Sequence, residues 1–272
     1  MPSPAEITAN QLSRLIGTPS APVVIDVRID EDFNHDPKSI PGSLRHPFTT
    51  IESLVGQLAG KRVIVSCQEG KKLSQGAAAI LRDAGIDAEY LQGGHVGWRD
   101  AGLSLVPLTK LTNRNDSNRS LWVTRQRPKI DRIACPWLIR RFLDPNALFL
   151  YVAPTEVLAV AQRFNGFPFD VEGVNYSHRG DGCTFDTMLE EFELHTEPLI
   201  HLATIVRGAD TDRHELAPPA AGLLAASLGF SRMYKDDLAQ LEASIPLYDA
   251  LYRWCRDATD EKHDWPMHSS KG

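Results

Sequence analysis

Over the first hundred residues, short apolar runs alternate with stretches of helical spacing. "APVVIDVR" and "KRVIVSC" are β-branched runs of the kind buried in parallel sheets, "AEYLQGG" is another short strand, and "SQGAAAILRDAG" carries a helical period that ends at Gly85. Strands alternating with helices predict a small α/β domain over residues 1–107, a mostly parallel sheet flanked by helices. In "LTKLTNRNDSNRS" no period survives, which predicts a linker over residues 108–118. The pattern resumes with one strand, "LWVT", and then turns helical: "PWLIRRFL", "PLIHLATIVR" ending before Gly208, "AAGLLAASL" ending before Gly229, and "DDLAQLEASIPLYDALYRWC". Residues 119–272 thus read as a mainly α-helical (α+β) domain whose polar tail frays after about residue 257.

Composition allows one large core or two ordinary ones, because 272 residues at 42% hydrophobic are enough for either, and two domains fit the length better. The 29 Lys and Arg against 35 Asp and Glu leave a net charge of -6, which disfavours an electrostatic grip on nucleic acid by the whole molecule. The four cysteines, Cys67, Cys135, Cys183 and Cys255, form no CxxC pair. That spacing argues against a disulfide framework and a cysteine zinc site and fits free thiols in a reducing cytosol. The first residues lack a basic start followed by an apolar core, and no run approaches the roughly 20 apolar residues of a membrane span. The expectation is a soluble, cytoplasmic protein with no membrane partner.

The first concentration of chemistry is "VIVSCQEGKKLS". Cys67 ends a buried strand in front of a helix, where open α/β sheets place their ligands. Loop amides, the positive end of the following helix and the charges of Lys71 and Lys72 would all stabilise negative charge on its sulfur and make it a nucleophile. A cysteine in such a place also reads as a small buried hydrophobe. "VVIDVR", "IPGS", "CQEGKKLS", "LQGGHVGW" and "AGLSLVP" follow one another in the order and spacing of a single-domain rhodanese, and the first 107 or so residues resemble that family.

The resemblance implies a persulfide on Cys67, held in a loop of Gln68, Glu69, Gly70, Lys71 and Lys72. It further implies no cofactor, a thiosulfate or other sulfane-sulfur donor, and a thiol or cyanide acceptor. Asp26 and Arg28 support the loop or, equally, serve the fold, since buried charges are usually paired. The chain has Lys72 where many active members have arginine, and Leu73 where serine or threonine is usual. Lysine keeps the charge but loses the planar two-point grip on an oxyanion.

The second domain opens on "WVTRQRPKIDRIACPWLIRRFLD" and is electrically split. Residues 119–143 hold seven Lys and Arg against one Asp, and residues 144–272 hold ten against twenty-one Asp and Glu. A strand end, a loop with Arg125 and Arg127, and a helix opening near Asp131 beside Arg132 describe an anion site. The same arginines also suit a solvated face or pairing with the acidic remainder. Pro136 suits a first helical turn.

Two loops, "SHRGDGCTFD" and "RGADTDRHE", are dense in hard ligands, and His178, Asp210 and His214 could supply a divalent metal site. No known zinc spacing is matched, and Asp and His in turns also cap helices. "DRIACPWLIRRFLD", "FDVEGVNYSHRGDGCTFD", "IVRGADTD" and "AAGLLAASLGFSRMYKDD" closely resemble the C-terminal domain of the chromate-resistance protein ChrB family, from about Ser120 to Cys255. That resemblance implies a regulator or accessory factor of chromate tolerance, without a settled active site. Full-length regulators of the family carry a different, DNA-binding type of N-terminal domain.

The combined expectation is a sulfurtransferase linked to chromate resistance. Chromate, a tetrahedral dianion, is a further ligand for the basic loop or the arginines near Asp131. The alternative is a non-catalytic sensor of oxyanion or metal.

Overall fold

The computed structural model describes residues 5–115 and 118–261. The N-terminal half contains β1 (Glu6–Ile7), α1 (Ala9–Ser13), β2 (Val23–Asp26), α2 (Asp30–His35), β3 (Lys38–Ser39), β4 (Leu44–Arg45), α3 (Val55–Leu58), β5 (Arg62–Ser66), α4 (Lys72–Asp83), β6 (Asp87–Leu91), α5 (Gly94–Asp100) and β7 (Val106–Pro107). Five strands make one parallel sheet in the order β1-β6-β5-β2-β4, and β3 pairs with β7 in a small antiparallel ribbon. The alternation along each strand sorts side chains to two faces. Ile25, Val63 and Val65 pack under Ala77, Ala78 and Leu81 of α4, while Val24, Ile64 and Leu91 face the other way.

The C-terminal half contains β8 (Leu121–Arg125), α6 (Asp131–Leu138), β9 (Leu148–Val152), α7 (Val157–Arg163), β10 (Phe167–Pro168), α8 (Thr184–Glu191), α9 (Glu197–Asp210), α10 (Ala220–Met233) and α11 (Asp237–Asp257). Its strands form a second parallel sheet, β10-β8-β9, joined through α6 and α7 and backed by the longer helices. The expected mainly helical domain is therefore present, with two strands beyond the one that the sequence marked. "LFLYV" is apolar throughout and has no alternation to separate strand from helix.

Several expected boundaries move for physical reasons. α9 runs through Gly208 instead of stopping there: a Cβ on Gly208 would lie 3.0 Å from the Ala220 Cβ, so this glycine admits α10 at close approach. α10 likewise continues past Gly229 to Met233. Pro136 sits well inside α6, not in its first turn. Its missing N–H frees the Arg132 carbonyl, four residues back, which instead accepts the Tyr151 hydroxyl at 2.8 Å.

The segment 108–118 is not a bare linker. Leu108–Lys110 forms a 3-10 turn, Leu111 is 2% exposed, and Arg114 bridges to Ser120. Leu12, Ile16, Ile40, Trp98 and Leu111 join Trp137, Phe142 and Tyr252 in one continuous cluster, so the free face of the first sheet is covered by the second half. Polar contacts follow the same seam: Gly42 N donates to the Phe142 carbonyl at 2.7 Å, Lys110 Nζ meets Glu191 Oε2 at 2.7 Å, and Lys38 pairs with Glu193. Arg256 reaches the Arg14 carbonyl.

All four cysteines are free, as their spacing predicts, and all four are buried. Among the described residues no helix is long and apolar enough to cross a membrane. Helix α11 ends at Asp257, and most of the tail expected to fray, residues 262–272, lies outside the described residues.

Candidate functional site

Cys67 leaves the carboxyl end of β5, with its side chain at the bottom of a loop that closes onto the start of α4. It is 5% exposed. Its Sγ donates to the Lys71 carbonyl at 3.4 Å and lies 3.1 Å from Ser74 Oγ, whose own hydroxyl is 3.1 Å from the same carbonyl. Among the described residues, the backbone N–H groups of Gln68, Glu69, Gly70 and Lys71 meet no protein acceptor. Together with the first turn of α4 they form a set of donors open to an anion.

The "QGG" stretch holds this loop in place. His95 N donates to the Cys67 carbonyl at 2.9 Å and Val96 N to the Gln68 carbonyl at 3.0 Å. Gly70 and Gly94 have φ of +69° and +57°, and each touches the other's backbone so closely that a Cβ would collide: one on Gly94 would lie 2.2 Å from the Cys67 carbonyl oxygen.

The charges around the loop differ in availability. Lys71 Nζ pairs with Glu69 Oε2 at 3.0 Å, which blunts the repulsion that Glu69 would exert on an anion. Lys72 is exposed and, among the described residues, has no ion-pair partner. Asp26 and Arg28 are buried together: Arg28 grips both Asp26 oxygens and also donates to the carbonyls of Asp36 and Lys38. They brace the chain between β2 and β3 and make no contact with Sγ. Sequence reasoning missed Ser74. Its signal was present, since a hydroxyl seven residues after Cys67 on a helix that starts at Lys72 falls in the first turn.

A second constellation forms at the carboxyl edge of the other sheet. Arg125 ends β8, Asp170 follows β10, and Asp131 opens α6. His178 Nε2 lies 3.2 Å from Asp210 Oδ2, 3.5 Å from Asp131 Oδ2 and 3.6 Å from Asp170 Oδ1. Asp170 also receives Arg125 Nη2 at 2.7 Å, Arg132 Nε at 3.2 Å and Thr184 Oγ1 at 2.9 Å.

Two of the expected metal trio are thus brought together: His178 and Asp210 meet, while Asp131 and Asp170 stand where His214 was expected. His214 instead faces Asp212 at 3.5 Å. The expected arginine set is also divided. Arg125 and Arg132 are committed to Asp170, and Arg127 donates to the carbonyls of Ser231 and Tyr234 at the end of α10. Asp186 is a cap, accepting from Cys183 N and pairing with Arg207.

Burial and the neighbouring carboxylates of Asp210 and Asp170 push the Asp131 carboxyl well above its usual range. Asp210 is pushed up by burial and by Asp170. Burial would also raise Asp170, but hydrogen bonds from His178 and Arg125 outweigh it and hold that carboxyl low. Bonding to Asp170 raises His178 to about 9, against the opposing effect of burial.

One family model, of the rhodanese-like domain, matches residues 8–101, and another, of the ChrB C-terminal domain, matches residues 122–255. The chain joins a rhodanese-like domain to a ChrB C-terminal domain. Cys67 and its loop lie in the rhodanese-like domain; Asp131, Asp170, His178 and Asp210 all lie in the ChrB domain. The chain is 35% identical over 132 residues to Protein ChrB of Cupriavidus metallidurans, a match that spans 48% of this chain and 39% of that protein. Among solved structures it is similar to a rhodanese-related protein from Thermoplasma volcanium, at 25% identity and a TM-score of 0.33, covering 37% of this chain and 96% of that one. It is also similar to a rhodanese-like domain protein from Staphylococcus aureus, at 30% identity and a TM-score of 0.31, covering 36% of this chain and 95% of that one.

Proposed function

We propose that the rhodanese-like domain is a sulfurtransferase that carries sulfane sulfur on Cys67. The observation that carries this reading is the run of backbone amides without protein acceptors that directly follows Cys67 and leads into a twelve-residue helix. The Cys67 thiolate attacks the outer sulfur of a donor such as thiosulfate. A Cys67–sulfur bond forms, the sulfur–sulfur bond of the donor breaks, and sulfite leaves with that bond's electron pair. The terminal sulfur of the persulfide is anionic and lies under the amides of Gln68 to Lys71, with the Ser74 hydroxyl beside Sγ. Cyanide or a thiolate then takes the outer sulfur and returns Cys67 as thiolate, so the cycle needs no cofactor and no net redox change.

The ChrB domain ties this chemistry to chromate resistance, the role that the family resemblance carries. Mass spectrometry of the protein after incubation with thiosulfate should show a gain of one sulfur atom, localised to the peptide containing Cys67 and removed by cyanide. A mass unchanged by thiosulfate and by other sulfane-sulfur donors would leave the loop as a non-catalytic remnant.

Donor binding should be limited by Lys72. A free ammonium offers a point charge, whereas a guanidinium would bind two oxygens of thiosulfate at once. Lys72→Arg is expected to raise kcat/KM for thiosulfate several-fold, chiefly through KM. An unchanged or lower value would dissociate donor choice from this position.

A further inference from the structure

We propose that Asp131, Asp170 and His178, with Asp210 on the open side, bind a divalent cation of the Mn2+ kind in the ChrB domain. Their spacing fits one ion. Each of Asp131, Asp170 and His178 can offer a ligand atom within 4.8 Å of the others, and His178 Nε2 lies between 3.2 and 3.6 Å from oxygens of all three carboxylates. Donor atoms around an octahedral ion at about 2.1 Å are separated by about 3 to 4 Å, the same range.

A second and independent observation is the Asp131 carboxylate itself. The residue is 1% exposed, its Oδ2 accepts the Thr184 N–H, the Cys183 thiol stands beside the carboxylate, and Oδ1 meets no donor at hydrogen-bonding geometry among the described residues. A buried carboxylate oxygen without a donor is costly, and the cost rises beside two other carboxylates. The two neighbouring arginines do not relieve it, since both are spent on Asp170. A divalent cation among Asp131, Asp170 and His178, taking the place of the His178 proton, would supply more positive charge than that proton does.

The donor set selects the kind of ion. Carboxylates suit Mg2+, Ca2+ and Mn2+, imidazole suits the later first-row metals, and Mn2+ is at home with both. The His178 side chain is 43% exposed and that of Asp210 18%, so an ion can enter from one side and keep water as a ligand there. The location is also where a parallel sheet presents ligands, outside the carboxyl ends of its strands.

The competing account is a closed ion-pair network with His178 as its cation, and the two differ in what they require of Asp131. The full chain, stripped with EDTA and dialysed, would be titrated with Mn2+ while the free-ion electron paramagnetic resonance signal and the unfolding temperature are followed. One Mn2+ bound per chain is expected, with the unfolding temperature raised on the order of 5 °C at saturating ion. His178→Ala and Asp131→Asn should each weaken binding at least about tenfold, as loss of a ligand or its support does.

Asp131→Asn keeps an oxygen for the Thr184 N–H and removes one of three crowded charges. In the metal-free protein it should therefore leave stability unchanged or raise it, whereas a closed ion-pair network would lose stability. Failure to bind Mn2+ stoichiometrically, binding untouched by both substitutions, or a metal-free Asp131→Asn protein less stable than the metal-free parent would each overturn the assignment. Persulfide loading at Cys67 is read separately and decides nothing here.

Discussion

Cys67→Ser is expected to reduce thiosulfate-dependent sulfur transfer to the uncatalysed background. The substitution exchanges one atom and leaves the surroundings intact: a serine hydroxyl at this position can still donate to the Lys71 carbonyl and approach Ser74 Oγ, the two contacts of Sγ. Folding should therefore be nearly unaffected, with a cost of about 1 kcal/mol for a more polar group in a buried site. What disappears is the capacity to form a sulfur–sulfur bond, and the other three thiols are poorly placed to take over, because Cys135, Cys183 and Cys255 are buried in the ChrB domain. Thiocyanate formation and mass spectrometry of the loaded protein are the readouts. Residual turnover above the protein-free rate, in a protein with an unchanged unfolding temperature, would mean that sulfur is carried elsewhere.

Gly94→Ala should be nearly as damaging to transfer, and costly to stability as well. The residue has φ of +57°, and the added methyl would lie 2.2 Å from the Cys67 carbonyl oxygen and 2.4 Å from Gly70 N. Both obstacles are backbone, so neither can swing aside as a side chain does. The loop must lift away from α5, and its unpaired amides at residues 68–71 move with it. Left-handed strain alone costs on the order of 1 kcal/mol or more, and the collision adds to it, for a total of about 3 kcal/mol or more.

Gly76→Ala is the matched comparison. It lies in α4, a Cβ there meets nothing within 4 Å, and a helical glycine replaced by alanine gains about 1 kcal/mol. Equal thermal stability and equal persulfide loading of the two variants would refute the claim that Gly94 fixes the loop.

Much of the cysteine site is legible in the chain itself. The β-branched run before Cys67, the glycine after it and the helical period beyond Lys72 are local signals, and local signals determine a strand, a turn and a helix in that order. The acidic cluster is harder to read because its members are united only by a sheet. Asp131 looks like an ordinary helix opening, and Asp170 follows a two-residue strand that has no period of its own. Without β9 and β10 nothing in the sequence directs Asp170 towards His178. His214 misleads for the opposite reason: it is close to Asp210 in sequence, but the short helical turn at His214–Leu216 aims it at Asp212.

The polar composition of residues 108–118 likewise conceals Leu111, a single apolar side chain whose burial closes the seam between the halves. Gly208 shows how a glycine inside a helix can be mistaken for its end when the neighbour that uses the space, Ala220, lies elsewhere in the chain.

That seam constrains how sulfur could travel. Enzymes that pass a covalently held group between stations often do so with a swinging arm, a module on a free tether that visits donor and acceptor in turn. Here Leu111 anchors the connecting segment in the core, the outer face of the sheet is roofed by the second domain, and apolar interfaces of this kind oppose domain swinging. On the proposed function, Cys67 would be a fixed port, not a shuttle: whatever collects its sulfur would need the reach to come to the loop.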